Sequence, residues 1–151
     1  MERRLPAALR QPRAIERFAG ENRFLSNFFL KPLTWNGERW PSAEHAYQAA
    51  KCRKPEHFQK IRNAPSPGAA KRWSRKVEMR VDWDRVKEDV MLSVVRAKFA
   101  DPWLRRRLLA TGDAELVEGN EWGDRFWGVC RGAGENRLGK ILMRVRTEIR
   151  S

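Results

Sequence analysis

The segment DWDRVKEDVMLSVVRAKFA, residues 82–100, constrains the fold more than any other part of the chain. Its apolar residues recur every three or four positions, which is the period of an amphipathic α-helix. The stripe consists of Val86, Val90, Val94 and Ala97, with Met91, Val95 and Lys98 beside it. Asp82 stands at the predicted N-cap. Such a helix is stable when its apolar face packs on other elements, so a helix-rich core is expected.

Further helix signals flank this segment. Pro41 and Ser42 open a short helix, Ser66-Pro67 and Asp101-Pro102 each suit a cap followed by a first-turn proline, and Gly112 suits a helix end. The predicted helices run from Ser42, over about residues 55–62, from Ser66 to about residue 75, from Asp101 to about residue 111, and from Arg137 to about residue 150.

Strand signals are few. Asn36-Gly37 is a strong hairpin turn because both residues accept positive φ, and it separates residues 24–34 from residues 38–40. A brief strand is predicted at residues 115–117. The 151 residues fit one domain. We therefore expect an α+β fold, a predominantly helical single domain with a small antiparallel sheet, in which residues 1–17 are a basic N-terminal arm and residues 18–151 the domain.

The net charge of +13, from 32 Lys and Arg against 19 Asp and Glu, favours polyanionic partners such as nucleic acid or phosphorylated small molecules. The alternative is an arginine-rich protein whose charge reflects codon usage, since the arginines are spread along the chain. No uncharged apolar run is long enough to cross a bilayer, and the basic N-terminus has no secretory-signal core. A cytoplasmic protein without membrane association is expected. Cys52 and Cys130 are expected to be reduced thiols, and no zinc motif is present.

An unusual polar stripe lies in the short helix that begins at Ser42. At about 100° per residue, Glu44, Gln48 and Lys51 fall on one face, while the remaining positions are largely alanine. One interpretation is a solvated face with an attraction between Glu44 and Lys51, because charged residues are mostly exposed. The other is an acid, an amide and an amine aligned for chemistry.

Two loop-like segments carry further candidate residues. Asn27 stands among apolar residues in NRFLSNFF and offers a ligand both a donor and an acceptor. In GDRFWG, residues 123–128, Trp127 is the aromatic residue best placed to stack on a flat base, and Trp83 is a second candidate. Asn136 and Arg137 begin the last helix after a glycine-rich loop, where they could bind a phosphate, or Asn136 could be a simple N-cap.

Together these segments resemble one family, the NADAR or YbiA-like domain. The resemblance runs from about Phe24 to Arg146 and leaves the N-terminal arm uncovered. The motifs that carry it, in order, are FLSNFF (24–29), WPSAEHAYQAAK (40–51), Trp83, Val90-Met91, Ala97-Lys98-Phe99, LLATGDAELVE (108–118), DRFWG (124–128) and NRLGKILM (136–143).

The resemblance implies an N-glycosidase with an α+β, mainly helical fold. One branch of the family cleaves phosphorylated ribosylamine intermediates of riboflavin synthesis, and another removes ADP-ribose from guanine in DNA. By the same resemblance, Glu44, Lys51, Asp124 and Trp127 map onto the active-site motifs. Val129 is a departure, because some riboflavin-pathway members carry an acid there; this weakens the transfer of that branch's substrate and leaves both substrates open.

The stripe then acquires a chemical interpretation. As a carboxylate, Glu44 can stabilise an oxocarbenium-like state; as a carboxylic acid, it can protonate the leaving base. Lys51 can trap C1′ of a ring-opened ribose as a Schiff base, if burial or nearby cations lower its pKa. No metal ion or other cofactor is required. The expected partner is a ribosylated base or a phosphoribosyl small molecule, with DNA contact through the basic surface as an addition.

Two other functions are consistent with the sequence. A binding module could hold NAD or ADP-ribose without cleaving it, in which case Glu44 and Lys51 would have no necessary role. General nucleic-acid binding would rest on charge alone and would show a steep salt dependence without chemistry. The sequence does not determine the oligomeric state.

Overall fold

The computed structural model describes residues 13–151, so most of the expected N-terminal arm lies outside the described residues. The end of that arm is part of the folded domain, since Ala14–Ile15 forms strand β1. The other strands are β2 Leu33–Trp35, β3 Glu38–Trp40, β4 Glu115–Leu116, β5 Gly119–Asn120 and β6 Val129–Cys130. The α-helices are α1 Ala43–Ala50, α2 Pro55–Arg62, α3 Pro67–Ser74, α4 Trp83–Lys98, α5 Pro102–Ala110 and α6 Arg137–Arg150, and a 3₁₀ helix spans Gly20–Leu25.

The predicted hairpin is present but shorter than expected. Strands β2 and β3 pair antiparallel around Asn36 and Gly37, whose φ angles are +50° and +73°. The segment before Leu33 does not join the sheet. Its start is the 3₁₀ helix, in which Phe24 and Leu25 are both buried, whereas a strand would turn consecutive side chains to opposite faces.

The described strands form three small sheets rather than one. Besides the hairpin, β1 pairs with β4 and β5 pairs with β6, and both of these pairs are parallel. The prediction of a predominantly helical α+β domain with a small antiparallel sheet is therefore confirmed, and the two additional parallel pairs were not predicted. The β5–β6 pair brackets residues 121–128, the first part of the glycine-rich loop that leads to α6.

The helix boundaries follow the capping signals in most cases. Ser42 and Ser66 each accept a hydrogen bond from a main-chain N–H in the first turn, and the Asp101 carboxylate accepts two. Asp82 differs from the prediction. Although α4 begins directly after it, its carboxylate binds the Arg80 guanidinium at 2.6 Å and caps no N–H.

Helix α1 joins the two hydrophobic clusters of the core. Ala43, Ala46 and Ala49 pack into the cluster formed with the hairpin, α2 and α3. Tyr47 packs into the larger cluster around α4 and α6. The alanine face and the Tyr47 face of α1 both pack in the core. The face that carries Glu44 lies between these two faces. None of the helices in residues 13–151 is long and apolar enough to span a membrane, and Cys52 and Cys130 are free thiols.

Candidate active site

A cavity of about 780 Å³ opens on the polar face of α1. Most of its lining comes from four parts of the chain: the segment around the 3₁₀ helix, helix α1, helix α3 with the residue after it, and the loop that follows β4. Met91 of α4 and Leu138 of α6 complete it. Six of the nine predicted site residues line it, namely Asn27, Glu44, Gln48, Lys51, Asp124 and Trp127. The fold thus brings together residues that are nearly a hundred positions apart in the sequence.

The stripe on α1 does not face bulk solvent. Glu44 is 6% exposed and Gln48 is 7% exposed, and both side chains lie at the cavity. Gln48 Nε2 donates a hydrogen bond to Glu44 Oε1 at 2.8 Å. The interpretation as a solvated helix face is therefore wrong for these two residues, since burying such groups is unfavourable without a specific arrangement of partners.

Burial raises the pKa of Glu44, because a charged carboxylate is poorly solvated inside the protein. The hydrogen bond from Gln48 acts against this, as do the positive charges of Lys71 and Lys51, while the negative charge of Asp124 adds to the increase. Carboxyl groups whose pKa is shifted by burial and by specific charged neighbours are typical of catalytic sites.

Lys51 follows the last residue of α1 and is half-buried at the cavity. Burial lowers the pKa of its ammonium group, and the nearby Arg75 guanidinium lowers it further. The Cys52 thiol and the Glu44 carboxyl act in the opposite direction. The shift is in the direction that a lysine nucleophile needs, because only the neutral amine attacks carbon.

Asp124 both shapes the loop and borders the cavity. Its Oδ1 accepts hydrogen bonds from the main-chain N–H groups of Phe126 and Trp127, at 3.1 Å and 2.9 Å. Asn120 binds the main chain of Asp124 from the other side, through Oδ1 to the N–H and through Nδ2 to the carbonyl. These bonds fix the turn that presents Trp127.

Two further predicted residues lie beside the stripe. Trp127 is half-buried, meets Tyr47 edge-to-face at a centroid distance of 5.5 Å, and leaves part of its ring at the cavity. Asn27 is 6% exposed, and its main-chain carbonyl accepts a hydrogen bond from the Glu44 N–H at 3.0 Å. Asn27 thereby holds its segment against the start of α1.

Three predicted residues lie outside the cavity. Trp83 is 4% exposed in the core, where it packs against Tyr47. Asn136 is the N-cap residue of α6 and has a left-handed backbone, but its side chain caps no N–H of the helix and instead binds the main chain of residues 116 and 118. Arg137 pairs with Glu88 and with a neighbouring glutamate. The side chains at the start of α6 therefore serve the architecture of the loop.

The cavity also contains charged residues that the sequence analysis did not identify. One group, which we call the cation wall, consists of Lys71 and Arg72 of α3 and Arg75 directly after that helix. Their spacing in KRWSR places them on one helical face, which is a signal that helical periodicity could have provided. Glu118 joins Glu44 and Asp124 in the carboxyl wall. Nothing in the local sequence distinguishes Glu118 from a surface glutamate after a strand.

Within residues 13–151, no group of three or more His, Cys, Asp or Glu side chains is arranged to hold a metal ion. The carboxyl groups of the carboxyl wall are influenced by burial, by one another and by Lys71. Burial raises the pKa of Glu118 to about 8, with the negative charges of Asp124 and Glu44 adding to the effect. The site is thus an acid cluster beside a cluster of cations.

The chain is similar to known proteins over nearly the whole domain. Residues 16–150 match the NADAR domain family. The chain is 41% identical over 128 residues to N-glycosidase YbiA of Escherichia coli (strain K12), covering 82% of this chain and 79% of that protein. It is 42% identical over 130 residues to riboflavin biosynthesis protein VVA0006 of Vibrio vulnificus, covering 83% of this chain but 35% of that longer protein. The NMR structure of E. coli YbiA superposes with a TM-score of 0.80 at 35% identity, covering 91% and 89% of the two chains.

Proposed function

Because the chain belongs to the NADAR domain family, we propose that its cavity hydrolyses the bond between a base and a phosphorylated ribose or ADP-ribose. The broad class is a hydrolase acting on N-glycosyl bonds, as in the N-glycosidase to which the chain is similar. The observation that carries the proposal is the cavity itself, in which buried carboxyl groups and a set of cations border one space.

Each wall suits one part of such a substrate. The cation wall offers Lys71, Arg72 and Arg75 to phosphate oxygens, for which guanidinium and ammonium groups are the usual partners. Trp127 offers an aromatic face to the base. With phosphate and base bound in this way, we expect the sugar, which joins them, to lie near the carboxyl wall.

The carboxyl wall suits the breaking bond. As the N-glycosidic bond lengthens, positive charge develops on C1′ and the ring oxygen, and a nearby carboxylate stabilises it. Glu44 has this role. The electron pair of the bond leaves with the base nitrogen, which takes up a proton, and water supplies the hydroxyl group on C1′.

Lys51 gives the reaction a covalent route when the ribose is linked through an amine. In the ring-opened form, the neutral Lys51 amine attacks C1′ and the base nitrogen leaves, which gives a Schiff base between C1′ and Nζ. Water then adds to that carbon and the free sugar and lysine are restored. Every step in both routes uses a protein side chain or water, so we propose that activity survives removal of divalent metal ions with a chelator.

The substrate is tested by direct product analysis. The protein is incubated separately with DNA containing ADP-ribosylated guanine and with a ribosylaminopyrimidine phosphate, and released sugar or base is measured by mass spectrometry. Val129 does not decide between them on structural grounds, because it lies in β6 and not in the cavity lining. Release of product from either compound supports the proposal, and the preferred compound identifies the branch. Release from neither overturns it.

The same experiment addresses the binding alternatives. A module that only holds ADP-ribose binds the intact compound and releases nothing. Non-specific nucleic-acid binding through the basic surface is lost steeply as salt increases, without product. Binding and release are therefore measured on the same samples at two salt concentrations.

A further inference from the structure

Glu118 is held rigidly at the cavity by its own main chain. Its N–H donates to the Asn136 side chain at 3.0 Å, and its carbonyl accepts from the Val129 N–H at 2.9 Å. The side chain lines the same cavity as Glu44 and Asp124. The glycine-rich loop and the start of α6 thus fix the position of a carboxyl group that has no evident structural purpose.

One oxygen of this carboxyl group is enclosed without a donor. Oε2 is buried and, within the described chain, has no hydrogen-bond partner. A Cβ atom at Gly128 would lie only 3.1 Å from it and would collide with the Glu118 carbonyl, so the glycine of the Trp127-Gly128 pair makes room for Glu118. An enclosed oxygen without a donor favours the neutral carboxylic acid over the carboxylate.

The charges that face Glu118 come from three elements. Glu44 of α1 and Asp124 of the loop repel a negative charge there, and Lys71 of α3 attracts one. Glu44 has more support for its charge, since it accepts a hydrogen bond from Gln48 and is influenced by two lysines. When two interacting carboxyl groups share a site, the better-supported one carries the charge and the other holds the proton.

Resting on the proposed N-glycosidase function, we propose that Glu118 is the proton donor to the leaving base, and that Glu44 is the charged partner that stabilises the sugar. As the bond between C1′ and nitrogen breaks, its electron pair stays on nitrogen and the Glu118 proton moves to that nitrogen. Glu118 is left as a carboxylate. It recovers a proton from the water molecule that adds to C1′, so the cycle closes without another reactant.

The other ionisable groups at the cavity suit this role less well. Lys51 must give up its proton before it can attack carbon, so it cannot also deliver one at that step. Asp124 Oδ1 already accepts two main-chain hydrogen bonds. These bonds stabilise the carboxylate form, which has no proton to donate. Glu118 is the carboxyl group at this cavity with an enclosed oxygen and no donor in the described chain.

The test is Glu118→Gln, which keeps the size of the side chain and removes the transferable proton. Its kcat is expected to fall about 10²–10⁴-fold, the usual contribution of general acid catalysis. Glu115→Gln is the matched control, because Glu115 is an exposed glutamate three residues earlier and should leave the rate unchanged. In the wild type, kcat/KM should fall as pH rises past about 8, because Glu118 then loses its proton. The variant should lack this decrease.

Independent measurements keep the test decisive if Glu118→Gln does not fold. Carboxyl ¹³C NMR of the wild type should show Glu118 protonated up to about pH 8, and Glu118→Asp should restore part of the rate. A wild type that cleaves substrates, together with an equally active Glu118→Gln protein or a carboxyl that titrates near pH 4, overturns the role of Glu118 alone. A wild type that cleaves neither test compound overturns the proposed function with it.

Discussion

The two walls of the cavity differ in how deeply their charges lie. In the carboxyl wall, Glu44 is almost fully buried and burial raises the pKa values of both Glu44 and Glu118. In the cation wall, Arg72 of α3 and Arg75 at the end of that helix are exposed. Deep burial of titratable groups is unfavourable for folding and is typical of reacting groups, whereas exposed cations are suited to capture an anion.

We therefore expect a division of function between the walls, in which the carboxyl wall performs the chemistry and the cation wall binds the substrate. Substitutions in the carboxyl wall should then reduce kcat, and substitutions in the cation wall should raise KM. Lys51 and Trp127 belong to neither wall, and each should show its own kinetic pattern.

The largest effect is expected from Glu44→Gln. The amide keeps the shape and the contact with Gln48 but cannot balance positive charge on the sugar, so kcat should fall about 10²–10⁴-fold with an intact fold. Steady-state kinetics and circular dichroism measure both quantities. Glu56→Gln is the matched control, since Glu56 occupies the first turn of α2 as Glu44 occupies that of α1, but is exposed. Near-normal turnover in folded Glu44→Gln would remove Glu44 from the mechanism.

Substitutions of Lys51 test whether its amine forms a covalent bond with the substrate or only contributes a positive charge. A Schiff base requires an amine, so Lys51→Arg should lose nearly as much activity as Lys51→Ala, although arginine keeps the charge. Borohydride treatment of wild type with substrate should leave a mass increase on the peptide that contains Lys51. Full activity in Lys51→Arg without a trapped adduct would reassign Lys51 to substrate binding.

Trp127→Ala should lower kcat/KM about tenfold or more, since stacking on a base contributes about 1–3 kcal/mol. Trp127 also contacts Tyr47 and Phe126, so Trp127→Phe provides a variant that keeps an aromatic ring in the core. The Phe variant should retain much of the activity. If the Ala variant unfolds, the ring is a packing element, and if a folded Ala variant has normal kinetics, the ring is not a binding surface.

Arg72→Gln should raise KM for a phosphorylated substrate about two- to tenfold and leave kcat unchanged, because it removes one exposed charge-assisted contact. Arg106→Gln on the exposed surface of α5 removes the same charge away from the cavity and is the control. Equal effects of the two substitutions would mean that overall charge, and not the cation wall, binds the substrate.

The smallest effect concerns stability. Because the pKa of Glu118 is raised from 4.5 to about 8, its contribution to the free energy of unfolding is fully present below pH 4.5 and is lost as pH rises through about 8. Glutamine has no proton to lose. Glu118→Gln should therefore increase Tm at pH 8 by about 2–4 °C for each kcal/mol recovered, with no increase at pH 4. Scanning calorimetry at both pH values measures this, and a variant less stable than wild type at pH 8 would contradict the neutral state of Glu118.

The helical part of the site was predictable because a helix preserves sequence spacing in space. Glu44, Gln48 and Lys51 are separated by four and three residues, and the structure places all three at the cavity. Regular spacing also predicted the helices from Pro55 and Pro67. The cation wall has the same kind of spacing on α3, and it was missed because a set of basic residues in an arginine-rich chain does not stand out.

The loop was not predictable in the same way. Asn136 and Arg137 matched a phosphate-binding pattern, but tertiary contacts decide what these side chains do, and they bind the main chain and neighbouring acids. Glu118 reaches the cavity only because β4, β5 and β6 fold the loop back toward α1. Such pairing between distant two-residue strands leaves no periodic signal in the sequence.

The most direct test of the division between the two walls measures turnover and binding separately with one N-glycoside. Single-turnover kinetics and calorimetric binding are compared for wild type, Glu44→Gln and Arg72→Gln. The account predicts that Glu44→Gln binds the intact substrate as wild type does but releases almost no product, while Arg72→Gln binds more weakly and releases product at the normal rate. If both variants lose binding to the same extent and keep the wild-type rate, the carboxyl wall does not perform the chemistry and the account is wrong.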